Sequence, residues 1–208
     1  MPSVELPAGS TGMLVIELQN DLCAGARAEK RGLSGALARA VRDRGVLQKL
    51  APVLGACRAR AVPVIYLTKE RHPAIPPPEN GPSIYRRAGS EPSLVHGTWG
   101  AQVVDEIKPQ EGDLVLPRFT SIDPSYGTEL WAICESMQLS TLVLAGISTT
   151  LAVEGTARAA ANRGYRALVI EDCCASVPDE WHEFSVTNVL PLITEVCSSD
   201  DVVAALKP

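Results

Sequence analysis

Nucleophilic side chains are plentiful in this sequence, but their spacing limits what they can do. Six cysteines (Cys23, Cys57, Cys134, Cys173, Cys174 and Cys197) lie mostly inside apolar segments, and none has a CxxC spacing. A thiol attacks carbon or binds metal only as its thiolate, which apolar surroundings disfavour. The pattern therefore predicts buried thiols in a reducing compartment rather than bridges or zinc clamps. For the adjacent Cys173 and Cys174, simple packing at a strand end is favoured over a vicinal disulfide. Hydroxyls gather at Ser148, Thr149 and Thr150, with Ser121 elsewhere; the first three are first of all good N-cap residues for the helix that follows. His182 falls in a helical stretch, 179–190, beside Trp181 and Glu183, where a packed or solvated imidazole is expected.

The composition excludes several classes of function. Nineteen Lys and Arg against 24 Asp and Glu give a formal charge of −5, and no segment gathers the basic cluster that phosphate neutralisation requires. Nucleic acid is not an expected partner. No apolar run reaches the ~18–20 residues of a membrane span, and residues 1–12 lack the basic start and apolar stretch of a signal peptide, so a cytoplasmic location away from the membrane is expected. With 46 % hydrophobic and only 4 % aromatic residues, aliphatic side chains must fill the core of what reads as a single domain, 1–208.

The elements that must position any site are six short apolar, β-branched runs at 13–17, 62–68, 113–117, 141–146, 166–171 and 192–197. Each is too continuously apolar to have a wet face, as expected of strands covered on both sides in a parallel sheet. Helix-period stripes lie between them: Val46, Leu47, Leu50, Val53, Leu54 and Cys57; Leu130, Ile133, Cys134 and Met137; and Ala157, Ala160 and Ala161, closed by Gly164. Alternating β and α with right-handed crossovers predicts a three-layer α/β/α sandwich on a mainly parallel six-stranded sheet, Rossmann-like in form, with ligands at the carboxyl edge. Two long connections reach that edge, 69–98 and 118–128. The first carries Pro73, Pro76, Pro77, Pro78 and Pro82 and reads as a lid, an arm or a subunit contact.

The sequence resembles the isochorismatase-like cysteine hydrolases. The resemblance is carried by the segments 14–22 (LVIELQNDL), 60–66 (RAVPVIY), 97–101 (GTWGA), 112–118 (GDLVLPR), 127–130 (GTEL), 146–150 (GISTT) with Thr156, and Gly164-Tyr165 with Glu171-Asp172, in order and in register. It implies the fold derived above and, in most members, a catalytic triad of Asp, Lys and Cys. Carried over by motif, those positions are Glu17, Arg118 and Ala152, and all three depart from the pattern. A methyl group cannot attack a carbonyl, so covalent catalysis is not expected at Ala152. Arg118 cannot trade a proton but its fork suits a carboxylate, which makes it a clamp. Glu17 is left either as an acid/base or, slightly favoured, as the partner of Arg118 in an ion pair that fills the vacated space.

The resemblance further implies an oxyanion-type cradle from the backbone N–H groups of Ser148 and Ala152, and a non-proline cis peptide at Ile147–Ser148. Trp99, Thr149, Phe119 and His72 are implied around a substrate pocket, with core packing the favoured role for Trp99. Glu70-Arg71-His72-Pro73 is similar to a zinc-binding segment of nicotinamidases, yet residues 74–95 supply no further His, and His96 belongs to another motif. Two ligands do not make a zinc site, so neither a metal nor any other cofactor is expected. Two functions follow: a hydrolase-like protein acting on or binding a small anionic or carbonyl compound, or a non-catalytic member serving as a small-molecule-binding or structural subunit. The resemblance implies a homo-oligomer, a dimer or larger.

Overall fold

A computed structural model describes residues 4–7, 9–24, 32–76, 79–86 and 93–207. Strands and helices alternate as β1 (Thr11–Ile16), α1 (Asn20–Cys23), α2 (Gly32–Asp43), α3 (Val46–Ala59), β2 (Val64–Lys69), α4 (Ser83–Arg86), β3 (Leu114–Arg118), α5 (Leu130–Ser136), β4 (Thr141–Ile147), α6 (Glu154–Ala161), β5 (Arg166–Ala175), α7 (Asp179–Phe184), β6 (Glu195–Cys197) and α8 (Ser199–Ala205). The six strands form one sheet in the order β3-β2-β1-β4-β5-β6, every neighbouring pair parallel. Among the described residues, no helix is long and apolar enough to cross a membrane.

Strand alternation sorts the core into two layers. Met13, Val15, Val64, Tyr66, Val143 and Leu168 face the helices α2, α3 and α8 through Leu37, Val41, Leu50, Leu54 and Val202. Leu14, Ile16, Ile65, Leu67, Leu142 and Leu144 face α5 and α6 through Leu130, Cys134, Ala157 and Ala160. Because both faces are covered, β1, β2 and β4 are buried at every residue. The expectation of six strands without a wet face fails at β3, which closes one edge of the sheet and alternates, with Val115 44 % exposed. Helix α8 is fixed locally by a capping box between Ser198 and Asp201.

The strand order reverses between β1 and β4, and that reversal makes the switch point at which such sheets leave room for ligands. Gly146 pairs with Ile16 at φ +133°, and a Cβ there would stand 2.1 Å from the Ile16 carbonyl oxygen. Both the conformation and the space demand glycine. Gly146→Ala is expected to destabilise the protein by about 3 kcal/mol or to prevent folding, as read by urea denaturation.

Candidate functional site

The carboxyl edge is built by the residues that follow β1. Glu17 holds the left-handed conformation at φ 55°, and its N–H still joins the sheet by donating to Leu67 O at 2.9 Å. The turn this allows delivers three buried polar side chains. The Gln19 amide donates to Lys69 O (2.9 Å) and Ala101 O (2.6 Å) and accepts from Lys69 N (2.8 Å). Asn20 donates to Trp99 O at 2.8 Å, and Asp21 accepts from Leu94 N at 2.8 Å. The Gln-Asn-Asp motif is thus a splint that ties β1 to the end of β2 and to the returning arm at 94–101.

On that edge three charges stand on neighbouring strands. Glu17 and Arg118 form the ion pair that the sequence favours, with Arg118 Nη2 donating to Glu17 Oε1 across the end of β2. Arg118 also donates from Nε to Ser121 O (2.9 Å) and from Nη2 to Ile122 O (3.0 Å). Burial works against its charge, but Glu17 and Tyr85 more than offset that and hold its pKa above the ordinary arginine value. Between the pair sits Lys69, which the sequence reading does not single out. It is the register partner of Arg118 and is 6 % exposed. Its ammonium donates to Phe119 O at 3.0 Å and lies 3.9 Å from the Tyr85 ring centroid. Burial, with Arg118 and Arg71 adding to it against Glu17, brings its pKa down to about 8.

Beside the charges lies an aromatic cluster. His96, placed by sequence in a separate motif, returns to Glu70, its Nδ1 2.5 Å from Oε2, while Thr68 donates to the other carboxylate oxygen at 3.2 Å. His72 packs at 5.3 Å from the His96 ring, and Phe119 meets both edge-on at 5.7 and 5.9 Å. His72 Nδ1 accepts from Ala74 N at 3.2 Å. Among the described residues, no group of three His, Cys, Asp or Glu side chains has the arrangement to hold a metal ion. Pro73 and Pro76 lie on this arm among the described residues, whereas Pro77 and Pro78 lie outside them.

At the end of β4 the Ile147–Ser148 peptide is cis, as the resemblance implies. Ser148 stands at the N-cap position, as the sequence predicts, but its side chain makes no cap bond. Ser148 Oγ and Thr150 Oγ1 instead meet the buried Ser176 Oγ at 2.6 and 2.9 Å. Thr149 Oγ1 meets His182 Nδ1 at 2.8 Å, and both residues are fully buried. Arg44 can only donate, at 2.6 Å to His182 Nε2, so the ring is neutral and gives its Nδ1 proton to Thr149. Burial, reinforced by the Arg44 charge, pushes the His182 pKa down. The imidazole is therefore a strut between α7 and the loop after β4, and it does not act as a base toward Thr149. Ala152 is 3 % exposed and belongs to the apolar cluster of Leu14 and Ile16.

Two further placements follow. Trp99 is 45 % exposed, which corrects the expectation of core packing; it is Gly100 that is buried, against Asp21. All six cysteines are free and buried, and burial pushes their pKa values up, to about 11 at Cys134 and about 12 at Cys57. They are poor nucleophiles at neutral pH.

A parallel sheet with strand order 3-2-1-4-5-6, a charged cluster at its carboxyl edge and a cis peptide opening the helix after β4 are the features of an isochorismatase-like α/β fold. The model of the isochorismatase domain matches residues 11–201, and the chain belongs to the isochorismatase family. Ureidoacrylate amidohydrolase RutB of Pseudomonas savastanoi pv. phaseolicola is 26 % identical over 220 residues, covering 99 % of this chain and 87 % of that protein. Among solved structures, a cysteine hydrolase from Pseudomonas syringae pv. phaseolicola superposes with a TM-score of 0.82 at 20 % identity, covering 99 % of this chain and 97 % of that one. N-carbamoylsarcosine amidase from Thermoplasma acidophilum superposes at 0.70 with 26 % identity, covering 92 % and 97 %.

Two outcomes test the geometry. Glu17→Gln and Arg118→Met are each expected to cost about 2–4 kcal/mol in urea denaturation, below the fully buried range because Glu17 keeps some solvent contact. The double variant is expected to lose less than the sum of the two, since neither charge is then left alone. For His182 the folded pKa lies below the unfolded value, so the unfolded chain binds the extra proton. Stability is then complete above about pH 6.5 and falls as the pH drops through that value, and His182→Gln is expected to flatten the slope measured by denaturation at a series of pH values.

Proposed function

We propose that the chain is a hydrolase-like member of its family that binds a small anionic or carbonyl compound at the carboxyl edge of the sheet and carries out no covalent cysteine catalysis there. In this reading Glu17, Arg118 and Ala152 occupy the triad positions, Arg118 clamps the ligand, and the backbone at Ser148 and Ala152 lends electrostatic support, with His72, Trp99, Phe119 and Thr149 around the pocket. The observation that carries it is the Glu17–Arg118 ion pair. Two side chains longer than the Asp and Lys of the family pattern meet each other, and the thiol's place is a methyl packed into the core. The names of the amidohydrolase relatives suggest the ligand class: acids bearing a ureido or N-carbamoyl group. A single domain, 1–208, acting in the cytoplasm as a homodimer or larger assembly, completes the proposal.

A second reading keeps catalysis without a covalent intermediate. Glu17 is the more exposed partner of the pair, at 14 % against 3 %. A ligand that draws Arg118 toward its own carboxylate would free Glu17 to act as acid or base. Isothermal titration with ureidoacrylate and N-carbamoylsarcosine, beside turnover assays on these, isochorismate and nicotinamide, separates the two. Saturable binding without turnover is expected; turnover abolished by Glu17→Ala would establish the second reading. An acyl adduct seen by intact-mass spectrometry during turnover would overturn both.

A further inference from the structure

Asp21 and Glu70 are buried on the carboxyl edge, on Leu94 N and His96, but around Lys69 and Arg118 themselves two cations face one carboxylate. Lys69 and Arg118 are register partners on β2 and β3, and are 6 % and 4 % exposed. Glu17, at the end of β1, is the carboxylate paired with them. Glu70, next in sequence to Lys69, faces Thr68 and His96 instead. Arg71, two residues beyond β2, adds a further, partly exposed positive charge, and Tyr85 on α4 brings a neutral ring and hydroxyl. Isolated buried cations are costly, and the surplus here calls for an anion.

The donors show where that anion would bind. Arg118 spends Nε and Nη2 on Ser121 O, Ile122 O and Glu17, but Nη1 is buried and has no acceptor in hydrogen-bond geometry among the described residues. The Tyr85 hydroxyl gives its own proton to Ser121 O at 2.6 Å and keeps lone pairs that can accept from this guanidinium, but it brings no counter-charge. Lys69 Nζ has one carbonyl, Phe119 O, and the face of the Tyr85 ring, neither of which carries a formal charge. Adjacent strands run about 4.8 Å apart, a spacing across which the two oxygens of a single carboxylate can take one donor from each strand.

We propose that Lys69 and the Nη1 edge of Arg118 form a seat for one carboxylate of a small ligand, covered by Tyr85 while it is empty. The proposal rests on the reading of this edge as a binding site for a small acid, and adds to it a second cation that the triad resemblance does not assign. Charge selects the ligand: two buried cations and one internal carboxylate leave one positive charge, which a monoanion neutralises and a phosphate dianion overshoots beside Glu17. An entering carboxylate replaces the aromatic face at Lys69, so Tyr85 moves aside as the seat fills.

Acetate and inorganic phosphate serve as probes in NMR titrations of the full chain at neutral pH, following the Lys69 side-chain carbon and Arg118 Nε–H signals. Acetate is expected to bind saturably and to shift both signals, with phosphate weaker. Lys69→Met is expected to weaken acetate by at least about tenfold, while Lys69→Arg, which keeps the charge, stays within about threefold. Thermal melts report whether each variant is folded, and the wild-type shifts decide the matter if Lys69→Met is not. Unchanged acetate affinity in a folded Lys69→Met, or acetate shifts at Arg118 alone, would overturn the seat and leave the Arg118 clamp standing. Phosphate binding as tight as acetate would overturn the charge argument. No acetate binding at all would overturn the seat, and the separate titration with ureido and N-carbamoyl acids then shows whether the broader reading survives.

Discussion

The carboxyl edge depends on the contact between Glu17 and Arg118, which reaches across the end of an intervening strand. Two charges taken out of water are held in place only if their remaining hydrogen-bonding capacity is met. Arg118 meets part of that need by gathering Ser121 O and Ile122 O, which folds the chain after β3 back over the sheet. Glu17 meets it in a left-handed backbone conformation that most residues avoid. The Gln-Asn-Asp turn that follows is possible because of that conformation. Through it the position of one carboxylate is linked to the end of β2 and the returning arm.

The fold was largely legible because its signals are local. A run of valine, isoleucine and leucine flanked by polar residues reads as a covered strand whatever its partners, and all six runs are strands, displaced by up to three residues at their starts and by more at the far end of β5. Helix stripes with a 3.6-residue period were equally plain in α3 and α5. Helix α2 was not: it opens on Gly32 and carries Gly35 inside, and both residues weaken the propensity signal that tertiary contact overrides. The wet face of β3 also escaped, because an edge position follows from strand order and strand order is not a local property.

The site was legible only where a motif carried it. Glu17 and Arg118 lie 101 positions apart, and only the family pattern brings them together on paper. Lys69, His96 and His182 carry no comparable mark. Lys69 is visible in hindsight as a lysine ending a wholly buried strand, a place where a charge needs a reason. His96 reaches Glu70 because the arm turns back and Arg71 N donates to Leu94 O at 2.7 Å, a path that residue spacing does not encode. His182 sits in a helix flanked by Trp181 and Phe184, 59 % and 62 % exposed, so its neighbours point to a surface side chain while its own ring is buried.

In the proposed reading, a methyl where the family pattern has a thiol changes what the surrounding charges do. A cysteine nucleophile needs a nearby cation to favour its thiolate, and a carboxylate to carry the proton away. With a methyl at 152, neither charge has that partner, yet removing either one would strand the other in a poorly solvated setting. The pair therefore has a structural reason of its own to stand. A guanidinium is better suited than an amine to that second life: it cannot deprotonate, and its planar fork satisfies Glu17 and two backbone carbonyls while one edge remains unspent. Proton exchange, which a guanidinium does not perform, has an amine next door in Lys69, whose burial brings its pKa down to about 8. The carboxyl edge thus holds a fixed cation, a titratable cation and one carboxylate at the ends of three adjacent strands, a set that in the proposed reading favours recognition of a small acid over attack on it.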